Sequence, residues 1–301
     1  MLCLVPLAAV LLIAVHHWPV VAEGLGQLRR AEWPWLAAAC AATCLTWVAA
    51  AVTRQGAVAE RLPRRRLLAT QFAAGAANHL LPSGLGAGAV NLRFMAVCGV
   101  PTARSSAALA LYLLAESITR VGLLLALLIA FPDALRLGPL VPAGAVGPLL
   151  LGGAAVLCAA AALLLVRRLR TPLVSFLRTA LGEARSVHTR PCRALALWGG
   201  SLAFPALQAS GLAAVGLALN LPVSPVHMVV AYLAATVAVA LVPVPGGLGS
   251  VEAALVVTLV GAGSPAALAT AAVLAYRIIT VWLPLLPGAL TLGALLRLKV
   301  I

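Results

Sequence analysis

The sequence is dominated by a succession of apolar stretches, each about as long as a lipid bilayer is thick. A helix that crosses the hydrocarbon core needs about 20 apolar residues. Stretches of this kind lie at residues 2–22, 33–53, 105–131, 143–166, 194–219 and 265–283, and a further candidate lies at 284–299. Because 63% of the 301 residues are hydrophobic and only 9% are charged, a soluble enzyme, a disordered chain and a disulfide-rich secreted domain are excluded. We therefore expect an all-α, polytopic transmembrane helical bundle that forms a single integral membrane domain over residues 1–301.

Two further apolar regions, 67–100 and 226–262, are too long for one crossing, and each is broken near its middle. The breaks read PSGLG at 82–86 and PGGLG at 245–249. Proline and glycine interrupt a helix, and broken backbone at membrane depth is tolerated only where protein buries it or where it lines a cavity. We expect two re-entrant helical hairpins. The alternative, two ordinary short spans at the first break, places one arginine-rich connection outside the cell.

The two breaks belong to an apparent internal repeat. They are identical at four of five positions, and each is followed by an apolar stretch, a Gly-x-Pro sequence and a long charged helix. The repeat motifs cover residues 67–131 and 226–299. Three predicted spans separate the hairpins, and an odd number of crossings inverts the second copy. Inverted repeats with broken helices are typical of transporters that bind substrate near the midplane; the alternative is a pair of hairpins that only pack the fold.

The charge balance indicates membrane orientation. The chain has 21 Lys and Arg against 7 Asp and Glu, a net charge of +14. Twelve of the basic residues lie in two connections, 54–66 and 167–193. By the positive-inside rule both connections face the cytoplasm of a multi-pass cell-membrane protein. We expect them to contact anionic lipid headgroups and no nucleic acid, and the amphipathic segment 167–193 to lie along the inner surface.

A few charged residues fall within or beside the apolar segments, namely Glu116, Arg120, Glu252, Arg277 and, after the first break, Arg93. A charge at the centre of a membrane helix costs about 2.5–3.5 kcal/mol on insertion scales, so such residues are candidates for function. Glu116 and Arg120 are four residues apart, in the favourable order for an ion pair on one helix face. This pair is either functional or a structural salt bridge.

The second break offers a candidate anion site. Glu252 lies in the predicted first turn after the break, with Ser250 as its N-cap. Arg277 either pairs with Glu252 or, with free backbone amides at the helix start, holds a phosphate, since helix N-termini and arginine both bind phosphate oxygens. The backbone groups of this candidate site belong to Gly246, Gly247, Gly249 and Ser250.

His79 precedes the first break and either relays protons or caps exposed backbone groups; capping is the favoured interpretation. The six cysteines are scattered and lack the histidine or second cysteine pair of a zinc site. The sequence has no serine-hydrolase elbow, HExxH motif or Walker loop. We expect neither a metal nor a cofactor.

The stretch 242–288 resembles the lysylphosphatidylglycerol synthase transmembrane family of flippase-like membrane proteins. The matching motifs are P-x-P-G-G-L-G-x-x-E at 243–252, Gly-x-Pro at 263–265 and Y-R followed by W-L-P-x-x-P-G within 276–288; residues 78–101 look like the family's first motif. Two positions depart from the pattern, because Ala87 and Ser117 stand where many members carry Glu and Arg. The resemblance implies movement of a lipid or lipid-linked headgroup between leaflets. Some relatives are fused to a soluble aminoacyl-phospholipid synthase domain; with no comparable hydrophilic stretch, we expect no such synthesis by this chain.

Three functions follow. The first is a lipid flippase or transporter for an anionic phospholipid or polyprenyl phosphate, with Arg277 and the hairpin amides holding the phosphate and Glu252, with Glu116, balancing charge or coupling protons. The second is a membrane-embedded polyprenyl or phospholipid headgroup transferase, which needs several carboxylates or histidines at one interface. The third is a non-catalytic membrane subunit of a separately encoded synthase or glycosyltransferase.

Overall fold

The protein is helical throughout the part that the structure describes. A computed structural model describes residues 31–80, 85–134, 167–241 and 250–298, and these ranges contain helices and turns without a strand. The prediction of an all-α polytopic membrane bundle is confirmed. The predicted spans 2–22 and 143–166 and most of the two breaks lie outside the described residues.

In the first half of the bundle, the described residues 31–80 and 85–134 form four α-helices. Trp33 and Pro34 start the first helix, where proline is accommodated because the amide it lacks has no intrahelical partner in the first turn. Pro101, in extended conformation, precedes the fourth helix, which a short 3₁₀ turn at Pro132–Ala134 follows. The four helices are α1 (Trp33–Ala57), α2 (Arg64–Leu80), α3 (Leu85–Val97) and α4 (Thr102–Ala130).

The second half follows an amphipathic helix, α5 (Arg167–His188), whose apolar residues Phe176, Leu177 and Leu181 are exposed. Within the described residues, four helical stretches are long and apolar enough to span a membrane by length and composition: α1, α4, α6 and the continuous run Ala266–Arg297. The helices after α5 are α6 (Pro191–Ala218), α7 (Pro225–Leu241), α8 (Ser250–Gly261), α9 (Ala266–Arg277), a π-helical turn (Ile278–Trp282) and α10 (Leu283–Arg297).

The sequence left open whether residues 265–299 form one helical run or two. The sequence analysis gives 265–283 and 284–299 as separate candidate spans, but the backbone widens into the π turn and continues as a helix to Arg297, with Pro284 in the first turn of α10 and Pro287 inside it. Near its end, Leu295 packs in the same cluster as Val58 and Leu62. The end of α10 therefore lies beside the basic connection 54–66, which is where the positive-inside rule places Arg297.

The two halves share one turn geometry. After α3 and after α8, Gly99 and Gly263 adopt positive φ angles of 84° and 100°. In both turns the glycine amide donates to the carbonyl three residues back and the next amide to the carbonyl five residues back, which is the Schellman pattern. Pro101 and Pro265 then start the next helices with φ and ψ angles within 2° of each other. The Gly-x-Pro sequences therefore mark one structural repeat.

Helices α1 and α6 form the central contact between the halves, and they run antiparallel. At one end Gly56 packs against the backbone of Leu197, and towards the other end Gly211 packs against Ala42. Because α1 and α6 each directly precede the helices that flank the break in their own half, their antiparallel packing inverts one half relative to the other. Within each half, the helices that flank the break, α2 with α3 and α7 with α8, pack together. Their re-entry into the membrane stays a prediction.

Both basic connections lie at one end of the bundle. Arg104, at the start of α4, forms ion pairs of 2.7 Å with Glu60 in the first connection and 2.5 Å with Glu183 in α5. Arg193 donates a hydrogen bond to the carbonyl of Val58. We call this the basic end. Its core is a separate hydrophobic cluster from the one at the opposite end, where α6 to α9 pack together.

Candidate functional site

A cavity of about 520 Å³ lies where the two halves meet. Its wall combines side chains of α1 to α4 with side chains of α6 to α9 and of the π turn. The charged and amide side chains on this wall are Arg54, Gln71, Asn78, His79, Asn91, Glu116, Gln208 and Arg277. Since so few charged residues occur in this chain, their convergence on one cavity makes it the candidate functional site.

An ion pair from the first half forms one side of the cavity. Arg54 Nη1 lies 2.7 Å from Glu116 Oε1, and the two side chains are only 11% and 14% exposed. The guanidinium carbon of Arg54 lies 4.3 Å from the centre of the Tyr112 ring, which is a cation–π contact. From the sequence, Arg54 is predicted to belong to the cytoplasmic connection 54–66. Its long side chain instead reaches from the end of α1 into the cavity.

The expected pairing of Glu116 with Arg120 is wrong, because Glu116 pairs with Arg54 across the α1–α4 contact. Arg120 does not line the cavity, and its buried Nε has no hydrogen-bond partner among the described residues. Helix spacing makes an i,i+4 contact available, but the packing of neighbouring helices decides which partner a long side chain reaches.

A second ion pair comes from the second half. Arg277 Nε and Nη2 both lie 2.6 Å from Glu252 Oε1, and the side chains are 15% and 27% exposed. Glu252 is in the first turn of α8, where the positive end of the helix also favours a carboxylate. Arg277 is the last residue of α9 before the π turn and lines the cavity. Of the two arrangements that the sequence allowed for Arg277, the structure contains the pair with Glu252.

The remaining candidates from the sequence divide into three groups. His79, in the last turn of α2, lines the cavity together with Arg277. The first break and the second motif therefore meet in space. Arg93 is exposed and does not line the cavity. Ser250 begins α8, and the other predicted phosphate-binding backbone groups, Gly246, Gly247 and Gly249, lie outside the described residues.

Three tyrosines that line the cavity, Tyr112, Tyr232 and Tyr276, were missed as site residues from the sequence. Tyr112 and Tyr276 each lie eleven residues after the proline of a Gly-x-Pro sequence, 164 residues apart, and both are buried and line the cavity. The Tyr276 ring packs edge-to-face on Tyr232, with ring centres 5.8 Å apart. Their shared spacing from Pro101 and Pro265 was a signal for the repeat that could have been found by aligning the two halves.

Three amide side chains on the cavity wall were also missed. Gln71 Nε2 donates to Asn91 Oδ1 over 2.8 Å, and Asn91 Nδ2 donates to the carbonyl of Ala87 over the same distance. Gln208 Oε1 is buried without a hydrogen-bond partner among the described residues. Gln208 lies within a long apolar stretch of α6, and that isolation is the sequence signal that could have identified it.

A comparison with protein families matches residues 6–288 to the family described as lysylphosphatidylglycerol synthase TM region. The chain belongs to this family. The match includes α1 to α9 and ends at Gly288 in α10, where an added Cβ would lie 2.9 Å from the Cβ of Ala76 in α2. No curated protein matches the chain.

Membership in the lysylphosphatidylglycerol synthase transmembrane family makes this a multi-pass membrane protein with a function related to membrane lipids. The family's two motif regions are the ones that converge on the cavity, through His79 and Asn91 from the first and Arg277 from the second. Among the described residues, no group of three or more His, Cys, Asp or Glu side chains could hold a metal ion.

Proposed function

We propose that this protein moves a phospholipid or a lipid-linked headgroup between the two leaflets of the cell membrane. The observation that carries the proposal is a charged cavity between two antiparallel halves of an otherwise apolar bundle. Inverted halves allow one site to open alternately to either side by rocking of one half against the other. A scaffold that only packs the fold has no need of the Arg54–Glu116 ion pair and Arg277 on one cavity wall.

The size of the cavity suits a headgroup and not a whole lipid. Sites for small ligands measure about 300–1,000 Å³, and this one measures about 520 Å³. Leu113 lines the cavity and is 49% exposed, and Leu114 and Ile118 on the same helix are also exposed. The polar headgroup would occupy the cavity while the acyl chains stay outside along this apolar surface of α4.

Arg277 is the proposed phosphate ligand, together with the backbone amides at the start of α8 near Gly246, Gly247, Gly249 and Ser250. Arginine donates to two phosphate oxygens at once, and the helix N-terminus adds a positive field. A phosphate would compete with Glu252 for Arg277, so the ion pair re-forms when the lipid leaves. Glu116 and His79 would balance charge within the cavity. Arg93 and Arg120 do not line it and have no part in this proposal.

Reconstitution into liposomes that contain labelled phosphatidylglycerol or labelled polyprenyl phosphate tests the proposal. The wild-type protein should accelerate exchange between leaflets. Arg277→Ala should slow it by at least about tenfold, because truncating one member of a buried charged pair costs about 2–5 kcal/mol; Glu252→Gln should slow it as well.

Arg178→Ala is the matched control, because Arg178 is exposed on α5. It should exchange lipid at the wild-type rate. No exchange by folded wild-type protein for any lipid class would overturn the proposed function. Undiminished exchange in both site variants would overturn the site and leave the function standing.

We further propose that the basic end faces the cytoplasm, because both arginine-rich connections lie there. Cys192, an exposed free cysteine at this end, reports the orientation once the other cysteines are replaced. A membrane-impermeant maleimide should label Cys192 in inverted vesicles and not in intact cells. Labelling from outside intact cells would reverse the orientation.

A further inference from the structure

We propose that the connection between α1 and α2, residues 58–63, is a gate that closes the cavity at the basic end, and that Arg104 holds this gate shut. This inference rests on the proposed function, in which the cavity opens alternately to either side, and it specifies where the cavity opens at the basic end. It follows from the burial of the connection and from the kind of contact that holds it in place.

The α1–α2 connection packs into the protein although it has no helical structure. Val58 and Leu62 are 2% and 4% exposed, and they belong to one hydrophobic cluster with Tyr112 and Leu197. Tyr112 also lines the cavity. A packed apolar layer therefore lies between the cavity and the basic end, and the α1–α2 connection is part of that layer.

Side chains of the neighbouring helices hold the backbone of the connection. Gln55 of α1 donates to the carbonyl of Glu60 over 2.8 Å and accepts from the amide of Leu62 over 2.9 Å. Arg193, in the first turn of α6, donates to the carbonyl of Val58. Buried backbone groups need partners, and a loop has no helical ladder to supply them. The closed position of the connection therefore depends on side chains.

Arg104 ties the connection to α4 and α5. Its Nη1 lies 2.7 Å from Glu60 Oε1, and its Nε lies 2.5 Å from Glu183 Oε1 in α5. The side chains of Arg104 and Glu60 are 37% and 38% exposed, so water solvates both charges when they separate. Exposed ion pairs contribute little to stability for this reason. The contact between Arg104 and Glu60 can therefore open and close at a small cost.

The opposite end has an equivalent contact of a different kind. At the basic end, the start of α6 bonds to the end of α1 through the Arg193 side chain and the Val58 carbonyl. At the opposite end, the amide of Glu32, which precedes α1, donates over 2.9 Å to the carbonyl of Ala218, the last residue of α6. The α6–α7 connection there, residues 219–224, contains no charged residue.

This difference assigns the gate to the basic end. A side chain releases its partner by rotating, whereas a bond between two backbone groups breaks only when the chain itself moves. Helices α1 and α6 are in close contact at both ends, at Gly56 with Leu197 and at Gly211 with Ala42, which leaves them as the fixed axis of the bundle. The α1–α2 connection is then the part that moves when the cavity opens at the basic end.

Access of a reagent to the cavity tests the gate. Ala50 lines the cavity, and Ala50→Cys in a chain whose other cysteines are replaced supplies one reactive position. A membrane-impermeant maleimide is added on the side from which Cys192 is labelled or on the other side. Arg104→Gln should raise the labelling rate from the Cys192 side about threefold to fivefold, the shift in open population expected for loss of an exposed ion pair.

Arg178→Gln is the matched control, since Arg178 is exposed on α5 and forms no ion pair with the described residues. It should leave the labelling rate unchanged. Arg104→Lys keeps the positive charge and should label closer to the parent rate than Arg104→Gln does. A loosened fold would raise labelling from both sides, so an equal increase from both sides would overturn the gate.

Lipid exchange in liposomes separates this inference from the proposed function. An unchanged labelling rate in Arg104→Gln, with exchange of labelled phosphatidylglycerol by the wild-type protein, would overturn the gate and leave the proposed function standing. Raised labelling from the Cys192 side in a protein that exchanges no lipid of any class would support the gate and overturn the proposed function.

Discussion

The first half of the bundle, α1 to α4, and the second, α6 to α10, share their architecture but not their charges. Helices α2 and α7 are both 17 residues long, and α3 and α8 are 13 and 12 residues long. At the spacing of 164 residues that relates the two Gly-x-Pro turns, Arg277 corresponds to Leu113 and Glu116 corresponds to Thr280. The backbone repeats, whereas the chemistry of the cavity is divided between the halves.

This difference shows which features the fold requires. Turns and close helix contacts recur because each half needs them to pack. The ion pairs occur once each and join different helices: Arg54–Glu116 joins α1 to α4, and Glu252–Arg277 joins α8 to α9. Matching substitutions in a feature that both halves contain should therefore lower the free energy of unfolding by equal amounts. Substitutions in the two ion pairs, which differ between the halves, should lower it by unequal amounts.

The largest expected effect comes from the ion pairs. Glu116→Gln should lower the free energy of unfolding by about 3–5 kcal/mol, because it leaves Arg54 charged and buried. Glu252→Gln should cost less, since Glu252 is 27% exposed against 14% for Glu116 and water can solvate the remaining arginine. Denaturant unfolding in detergent measures both changes.

The double variant Arg54→Met with Glu116→Leu is the control for this prediction. Replacing both members of a buried ion pair by apolar residues of similar volume is often neutral. The double variant should therefore recover most of the stability that Glu116→Gln loses. Equal losses in Glu116→Gln and Glu252→Gln would contradict the difference between the two pairs.

The next effect concerns the central contact between α1 and α6. A Cβ added at Gly200 would collide with Thr53 Oγ1 and lie 2.9 Å from the carbonyl oxygen of Ala49, whereas one added at Gly199 meets nothing within 4 Å. Gly200→Ala should lower the free energy of unfolding by about 1–3 kcal/mol through overpacking.

Gly199→Ala is the matched control on the next residue of the same helix, and alanine there should be neutral or stabilising, as is usual in a helix interior. The melting temperatures of the two variants in detergent check the prediction. Equal melting temperatures for the two variants would contradict the role of close α1–α6 packing in holding the halves in contact.

The smallest effect tests the equivalence of the two turns. Gly99 and Gly263 both have positive φ angles, and no atom lies within 4 Å of an added Cβ at either position. Alanine at either position should therefore lower the free energy of unfolding only by the left-handed backbone penalty, about 1–2 kcal/mol. The loss should be the same at both positions. A clear difference between the melting temperatures of Gly99→Ala and Gly263→Ala would show that the halves are not equivalent at their most similar point.

Local sequence patterns were sufficient to predict the helices, and one ion pair was among the arrangements that the sequence allowed. The runs at 33–53, 105–131 and 194–219 became α1, α4 and α6, with ends that differ from the prediction by at most four residues. The Glu252–Arg277 pair, between residues 25 positions apart, was one of two arrangements anticipated for Arg277. The helices depend on hydropathy, proline and glycine, which act within a few turns of the chain.

The same local reasoning failed for Arg54 and Gln208. Arg54 was interpreted as part of a basic connection because it follows an apolar run, and Gln208 was not noticed because it lies within one. Their place on the cavity wall depends on the antiparallel packing of α1 and α6 and on how far each side chain reaches. No pattern within a single helix contains that information.

By itself, the amino-acid sequence determined the membrane class, most helix positions, the family and the existence of two related halves, because a bilayer excludes unpaired backbone groups and rewards apolar helices. Three-dimensional packing decided that the halves are antiparallel, that Glu116 pairs with Arg54, and that the final run is one helix. It also brought Arg54, His79, Gln208 and Arg277 to one cavity. The physical reason is that pairing and cavity formation depend on contacts between distant helices, whose register small residues such as Gly56 and Gly200 fix.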